Sequence, residues 1–346
     1  MPITVERICF NWDTNAATND AINIRTSYAA PLPLPEYVNG VRGEPCAYVT
    51  ASVAGQTVSI RAWFSGGPAN TTVQISATGN GTALGDVAAT NVLFDPNGNA
   101  DQVTMNLANT TFHTANVGIV DTTWTWAAGG NNTGQTTAHR SFILNTMPLA
   151  PWVQTPGSEL LPWVSALERA CTWAAGTGAN AASVTAITRA VNTCGAAYNP
   201  GTRFLSFGPL TLDLTGVLAA MGGVGAWNLN CAECAATVTT LSRLLGINYA
   251  SGEIRPTTPL ATPKLVTTQI RGLGTPGWRS WDWDFHEVCW DNYAQQGHVW
   301  DASASLHDGS PGGYLSLGMQ YDTGYEPALV VSGTPHLPTS DAYAIR

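Results

Sequence analysis

The chain is nearly without lysine: Lys264 is the only one in 346 residues, and charged side chains make up just 11% of the sequence. With 14 basic residues against 23 acidic ones the net charge is −9, which argues against a nucleic-acid or anionic-membrane partner, since both select clustered positive charge. No apolar run approaches the ~20 residues that a membrane-spanning helix needs. The stretch from Met1 to Phe10 has no basic start leading into a long apolar segment, so no Sec-type signal is visible. Cysteine is sparse too. Seven in this length make no dense disulfide framework, and their odd number leaves at least one unpaired unless a second chain contributes. What is plentiful is apolar and neutral polar residues: 44% hydrophobic with 13 Trp excludes intrinsic disorder, while the Thr-, Asn-, Ala- and Gly-rich remainder leans towards an exported protein.

The length suggests about two domains at roughly 150 residues each. Residues 1–147 read as an antiparallel β-sandwich of Ig-like kind. Val58, Ile60, Ala62 and Phe64 alternate with Thr57, Ser59, Arg61 and Trp63, and similar period-2 runs occur at Val73-Ile75-Ala77, Val103-Met105-Leu107 and Trp124-Trp126. Turn-rich stretches such as Asp95 to Gly98 separate them. Pro148, Pro151, Pro156 and Pro162 then mark residues 148–162 as a linker, leaving 163–346 as a second, α+β domain with a C-terminal extension. Trp163, Leu167, Ala170 and Ala174 hold helical spacing, as do Val184, Ile187, Val191 and Cys194. A Cys171–Cys194 disulfide and two separately packed thiols are equally compatible with that pattern.

The segment from Trp227 to Gly246 carries the chemistry. Cys234, Val238, Leu241 and Leu245 share a helical stripe, and Gly246 suits the position just past the helix end. Asn230 followed by Glu233 forms a capping-box pattern, which makes Cys231 the first helical residue. The positive end of a helix favours a thiolate nucleophile, and the Cys231 backbone N–H is a candidate oxyanion donor. A base and an orienting group are then required. Downstream, His286, Val288 and Trp290 share one face of a strand, and a polar turn leads into His298 to Ser305. A hairpin that sets Trp290 opposite Gly297 also sets His286 opposite Asp301, an arrangement that holds the imidazole in its productive tautomer.

These residues resemble the transglutaminase-like cysteine-enzyme core. The resemblance lies in Asn-Cys231-Ala-Glu-Cys-Ala235, Leu-Leu-Gly-Ile247, His286 and Val-Trp-Asp301-Ala, and it covers about residues 227–305. It implies Cys231 as nucleophile, His286 as general base and acid, Asp301 as orienting residue, and a helix packed on an antiparallel (papain-like) sheet. Val288 stands where the family usually has an aromatic residue. Trp227 and Trp283 are the candidates for the substrate-binding wall. The expected activity is acyl transfer on a protein or peptide substrate without cofactor or metal. Hydrolysis, as a cysteine protease or deamidase, is favoured because it needs only water; cross-linking to an amine and a non-catalytic protein- or glycan-binding module are the alternatives. Cys231, Cys234, His286 and Cys289 formally make a Cys3His zinc set. Against it, His286 and Cys289 fall on opposite faces of one strand, Cys234 lies on an apolar stripe, and Asp301 is left without a role. His298, Asp282 and Asp284 are read as structural or solvated.

Overall fold

The computed structural model describes residues 2–13, 21–50, 58–80, 84–108, 116–178, 180–201, 203–207, 210–256, 264–292, 296–331, 336–341 and 343–346. The fold is mixed α and β, rich in strands, and divides into two compact units. Thr57, expected in the first alternating run, lies outside the described residues; the strand is Ser59–Ser65.

In the first unit, one five-stranded sheet runs in the order Ala100–Asn106, Ser59–Ser65, Thr4–Cys9, Tyr37–Val38 and Arg42–Gly43. A second runs Cys46–Val49, Asn131–Leu144, Gly118–Ala128, Thr72–Gly79 and Val87–Leu93. Their apolar faces supply one hydrophobic core, with Ile8, Ile60 and Met105 from the first sheet and Ile75, Trp124 and Ile143 from the second. Period-2 patterning produces this arrangement, because alternate side chains all turn to the same side. Trp124 and Trp126 are buried without leaving a bare N–H, since Trp124 Nε1 donates to the Gly85 carbonyl at 2.7 Å and Trp126 Nε1 to Thr137 Oγ1 at 3.1 Å. The unit is not wholly antiparallel: Cys46–Val49 runs parallel to Asn131–Leu144.

The boundary differs from the one the prolines suggest. Helix α1 (Val164–Trp173) belongs to the first unit, which comprises Met1–Pro148 and Trp152–Gly178. Hydrogen bonds explain the difference. Arg25 N–H donates to the Pro162 carbonyl at 2.8 Å, Val117 and Gly176–Thr177 exchange backbone bonds, and Asn23 pairs with Gln154 through both main chain and side chain. Proline interrupted regular structure here without releasing the segment as a linker. Cys171 packs in this unit with its thiol towards the Ile143 carbonyl, while Cys194 lies in the second unit, past the end of helix α2 (Asn180–Asn192). No disulfide joins any of the seven cysteines.

The second unit is built on a six-stranded antiparallel sheet. Its central order is Ile270–Gly272, His298–Leu306, His286–Trp290, Ala250–Pro256 and His336–Asp341, and Tyr314–Gln320 also pairs with His298–Leu306. Helix α3 (Leu214–Gly222) starts at Asp213, whose carboxylate accepts from Gly216 N–H. Helix α4 (Cys231–Leu244) packs against the three central strands and against α2. It buries nearly its whole circumference, not one stripe, which marks it as the central helix of the unit. Among the described residues no helix is long and apolar enough to cross a membrane.

Candidate active site

Cys231 begins α4 because Asn230 caps it. The Asn230 side chain accepts from Glu233 N–H at 2.8 Å, and Glu233 Oε2 accepts from Asn230 N–H at 3.0 Å. The far end closes with a Schellman motif: Ile247 N–H bonds the Ser242 carbonyl, Gly246 N–H bonds that of Arg243, and Gly246 takes φ +81°. Glu233 does more than the capping box requires. Its other oxygen, Oε1, accepts from the backbone N–H groups of Arg203 and Phe204 at 2.7 and 2.6 Å, locking the preceding loop to the start of the helix. Glu233→Ala strands three backbone donors around a buried position, so it is expected to cost about 3 kcal/mol in urea unfolding. A cost below about 1 kcal/mol would show that the carboxylate does not carry this junction.

His286 and Asp301 meet as the sequence suggested, through a different register. Trp290 lies opposite Val299 and Cys289 opposite Trp300, two residues away from the expected pairing of Trp290 with Gly297. The ladder between the two strands stops at Cys289–Trp300, and Asp301 lies in the irregular stretch of its strand that follows. A two-residue slip preserves which face each side chain occupies, so the pair survives the error. His286 Nε2 lies 3.0 Å from Asp301 Oδ2, and the two residues are 0% and 1% exposed.

Asp301 is heavily supported. Oδ1 accepts from Ser303 N–H and Oγ, both at 2.8 Å, and Oδ2 also accepts from Tyr325 Oη at 2.7 Å. Tyr325 closes a single π-helical turn, Tyr321–Tyr325. Burial works against the Asp301 carboxylate, but His286, Tyr325 and Ser303 together hold its pKa below the usual value. For His286, burial likewise disfavours the charged ring, and Asp301 and then Cys231 outweigh it, raising the pKa. The second ring nitrogen, Nδ1, is buried with no other hydrogen-bond partner, and Cys231 lies close enough to the imidazole to raise its pKa. Cys234, one turn into the helix, is fully buried with its thiol pKa pushed well up by desolvation.

Aromatic rings wall this group. Trp283 stacks on His286 with centroids 4.4 Å apart and planes 8° from parallel. Trp281 follows at 6.1 Å, with the Arg279 guanidinium 3.6 Å over its ring. Tyr198 contacts both indoles at 5.4 and 6.2 Å. Its strand, Ala197–Tyr198, pairs with Asn228–Leu229 just ahead of Cys231, and burial and then Cys231 push its hydroxyl pKa up. The indole N–H groups of Trp281 and Trp283 are buried and unbonded. Trp227 is buried with its ring edge on Phe204 at 6.4 Å; the ring stacked on His286 is that of Trp283. His298 is bound to Asp291 at 2.8 Å and closes the polar turn, while Asp282 and Asp284 are exposed, the latter paired with Lys264. Among the described residues no group of three or more His, Cys, Asp or Glu is set to hold a metal ion, and the Cys289 thiol interacts with Thr239.

Tyr198 and Tyr325 carry no sequence signal for a place in this site. Only the Trp281–Trp283 doublet ahead of His286 hinted at an aromatic wall. The chain matches no family model and no curated protein.

Proposed function

We propose that the chain is a cysteine enzyme of transglutaminase-like type, in which an Ig-like β-sandwich accompanies a papain-like α+β unit and Cys231, His286 and Asp301 perform acyl transfer on peptide or glutamine carboxamide groups. The observation that carries this reading is the buried 3.0 Å His286–Asp301 contact beside a cysteine at a capped helix start. The Cys231 thiolate attacks the carbonyl carbon, and its own backbone N–H faces the developing oxyanion. His286 gives its proton to the departing amine or ammonia, leaving a thioester. Water, deprotonated by His286, then releases the acid and restores the thiol. An amine in place of water at the thioester would give cross-linking instead.

Intact-mass spectrometry after brief iodoacetamide treatment tests the nucleophile. Cys231 is expected to be carbamidomethylated before any of the other six cysteines, and peptide mapping identifies it. Labelling at Cys231 no faster than at Cys234 would overturn the reading. Ammonia release measured alongside incorporation of a fluorescent primary amine then separates hydrolysis from transfer.

A further inference from the structure

The first unit carries a second constructed surface, remote in sequence from Cys231. On the strand Ser59–Ser65 the inward residues Ile60, Ala62 and Phe64 enter the core, and Trp63 stands on the opposite face, half-buried. Both neighbouring strands bulge at the same step. On one side Val5 pairs with Phe64 and Arg7 with Trp63, leaving Glu6 as the extra residue. On the other side Ala100 pairs with Phe64 and Val103 with Ala62, so Asp101 and Gln102 oppose Trp63 alone. Gln102 takes φ +51°, a left-handed conformation that a non-glycine residue adopts only at a cost. Bulges re-aim side chains, and here two of them bring Glu6, Arg7 and Asp101 around one indole.

A cavity of about 300 Å³ lies over this group and is lined by Trp63, Glu6, Arg7, Asp95, Asn99 and Asp101. It shares Asp95, Asn99 and Asp101 with a neighbouring cavity of about 600 Å³ that reaches Leu93 and Asn70. The two form a continuous trough. Two of its carboxylates are anchored: Ser65 Oγ donates to Glu6 Oε1, and Asn97 and Asn99 N–H both donate to Asp95 Oδ1 at 2.8 Å, so Oδ2 takes neither bond.

We propose that this trough binds a neutral oligosaccharide, with Trp63 as the platform for one sugar ring. A pyranose presents a C–H face and a rim of hydroxyls that both donate and accept. An indole covers the first, and fixed carboxylates, an amide and a guanidinium satisfy the second. Three carboxylates against one guanidinium repel uronic or sulfated sugars. A lone sugar fills only part of the trough, so several linked residues fit its length better. The site is independent of the acyl-transfer reading.

Titration calorimetry of the full chain with soluble hexasaccharides of glucose, xylose and N-acetylglucosamine, with hexagalacturonate as the charged control, tests it. At least one neutral hexasaccharide is expected to bind, hexagalacturonate is not, and Trp63→Ala is expected to weaken binding about tenfold or more. Trp63→Phe should retain part of the affinity, and Cys231→Ala should bind as the unaltered chain does. Because Trp63 faces away from the core, its variants are expected to melt near the unaltered protein; should Trp63→Ala not fold, loss of affinity in Asp101→Asn supports the site. Absence of binding by every neutral hexasaccharide, preference for hexagalacturonate, or affinity indifferent to both Trp63→Ala and Asp101→Asn would overturn it.

Discussion

Cys231→Ala is expected to lower acyl-transfer turnover by about four orders of magnitude or more, while Cys234→Ala keeps most of it. The two thiols sit three residues apart on one helix, yet their surroundings differ. Cys231 is the first residue of α4, at the positive end of the helix and against the His286 ring. Cys234 is enclosed at 1% exposure, and burial raises its pKa well above the usual thiol value, so it holds its proton and acts as a small apolar filler. Removing its sulfur leaves a small void and costs about 1 kcal/mol of stability, without touching the reacting groups. Turnover of a peptide amide by both variants, with circular dichroism to check folding, decides the matter. Activity in Cys231→Ala together with its loss in Cys234→Ala would move the nucleophile one turn along the helix.

The features legible in the sequence are those set by local chemistry. The α4 boundaries follow from Asn230, Glu233 and Gly246, three residues whose backbone roles need no tertiary information, and the structure places the cap, the capping box and the positive-φ glycine at those residues. The β character of the first unit follows from alternation, and the pairing of buried faces follows from that. Features set by distant partners were hidden. Cys194 continues the spacing of Val184, Ile187 and Val191, but α2 ends at Asn192, before reaching it. The Pro-rich segment reads as a linker until the Asn23–Gln154 and Arg25–Pro162 bonds attach it to the first unit.

The candidate site divides in the same way. His286 and Asp301 were legible because a strand has period 2, and even a wrong register keeps parity when the slip is two residues. Tyr325 reaches Asp301 from a π-turn 24 residues later in the chain, and Tyr198 reaches the site through a two-residue parallel pairing with Asn228–Leu229. Neither contact leaves a periodic trace. Glu233 shows the limit most clearly: its capping role is local and was readable, whereas its bonds to Arg203 and Phe204, about 30 residues upstream, depend on how the loop returns to the helix.

Asp301→Asn is expected to slow turnover about 10³-fold, against less than about twofold for Asp282→Asn and Asp284→Asn. An amide in place of the carboxylate keeps the shape but removes the charge facing His286 Nε2, and burial then drives the ring towards its neutral form. The exposed pair Asp282 and Asp284 exert no comparable influence on the imidazole. The change should also be visible in the pH dependence of stability. Because the folded pKa of His286 is raised above its ordinary 6.5, its protonation contributes full stability below that value, and the contribution is lost as pH rises through the raised one. The lowered pKa of Asp301 contributes above its ordinary 3.8, and this is lost as pH falls through the folded value. Both contributions are complete between 3.8 and 6.5. The melting temperature of Asp301→Asn should therefore fall furthest below that of the unaltered chain in this window, and the gap should narrow as the solution becomes alkaline. Scanning calorimetry from pH 4 to pH 9, run beside the peptide assay, measures both effects. A gap independent of pH, with turnover unchanged in Asp301→Asn, would remove Asp301 from the site and leave His286 without its orienting partner.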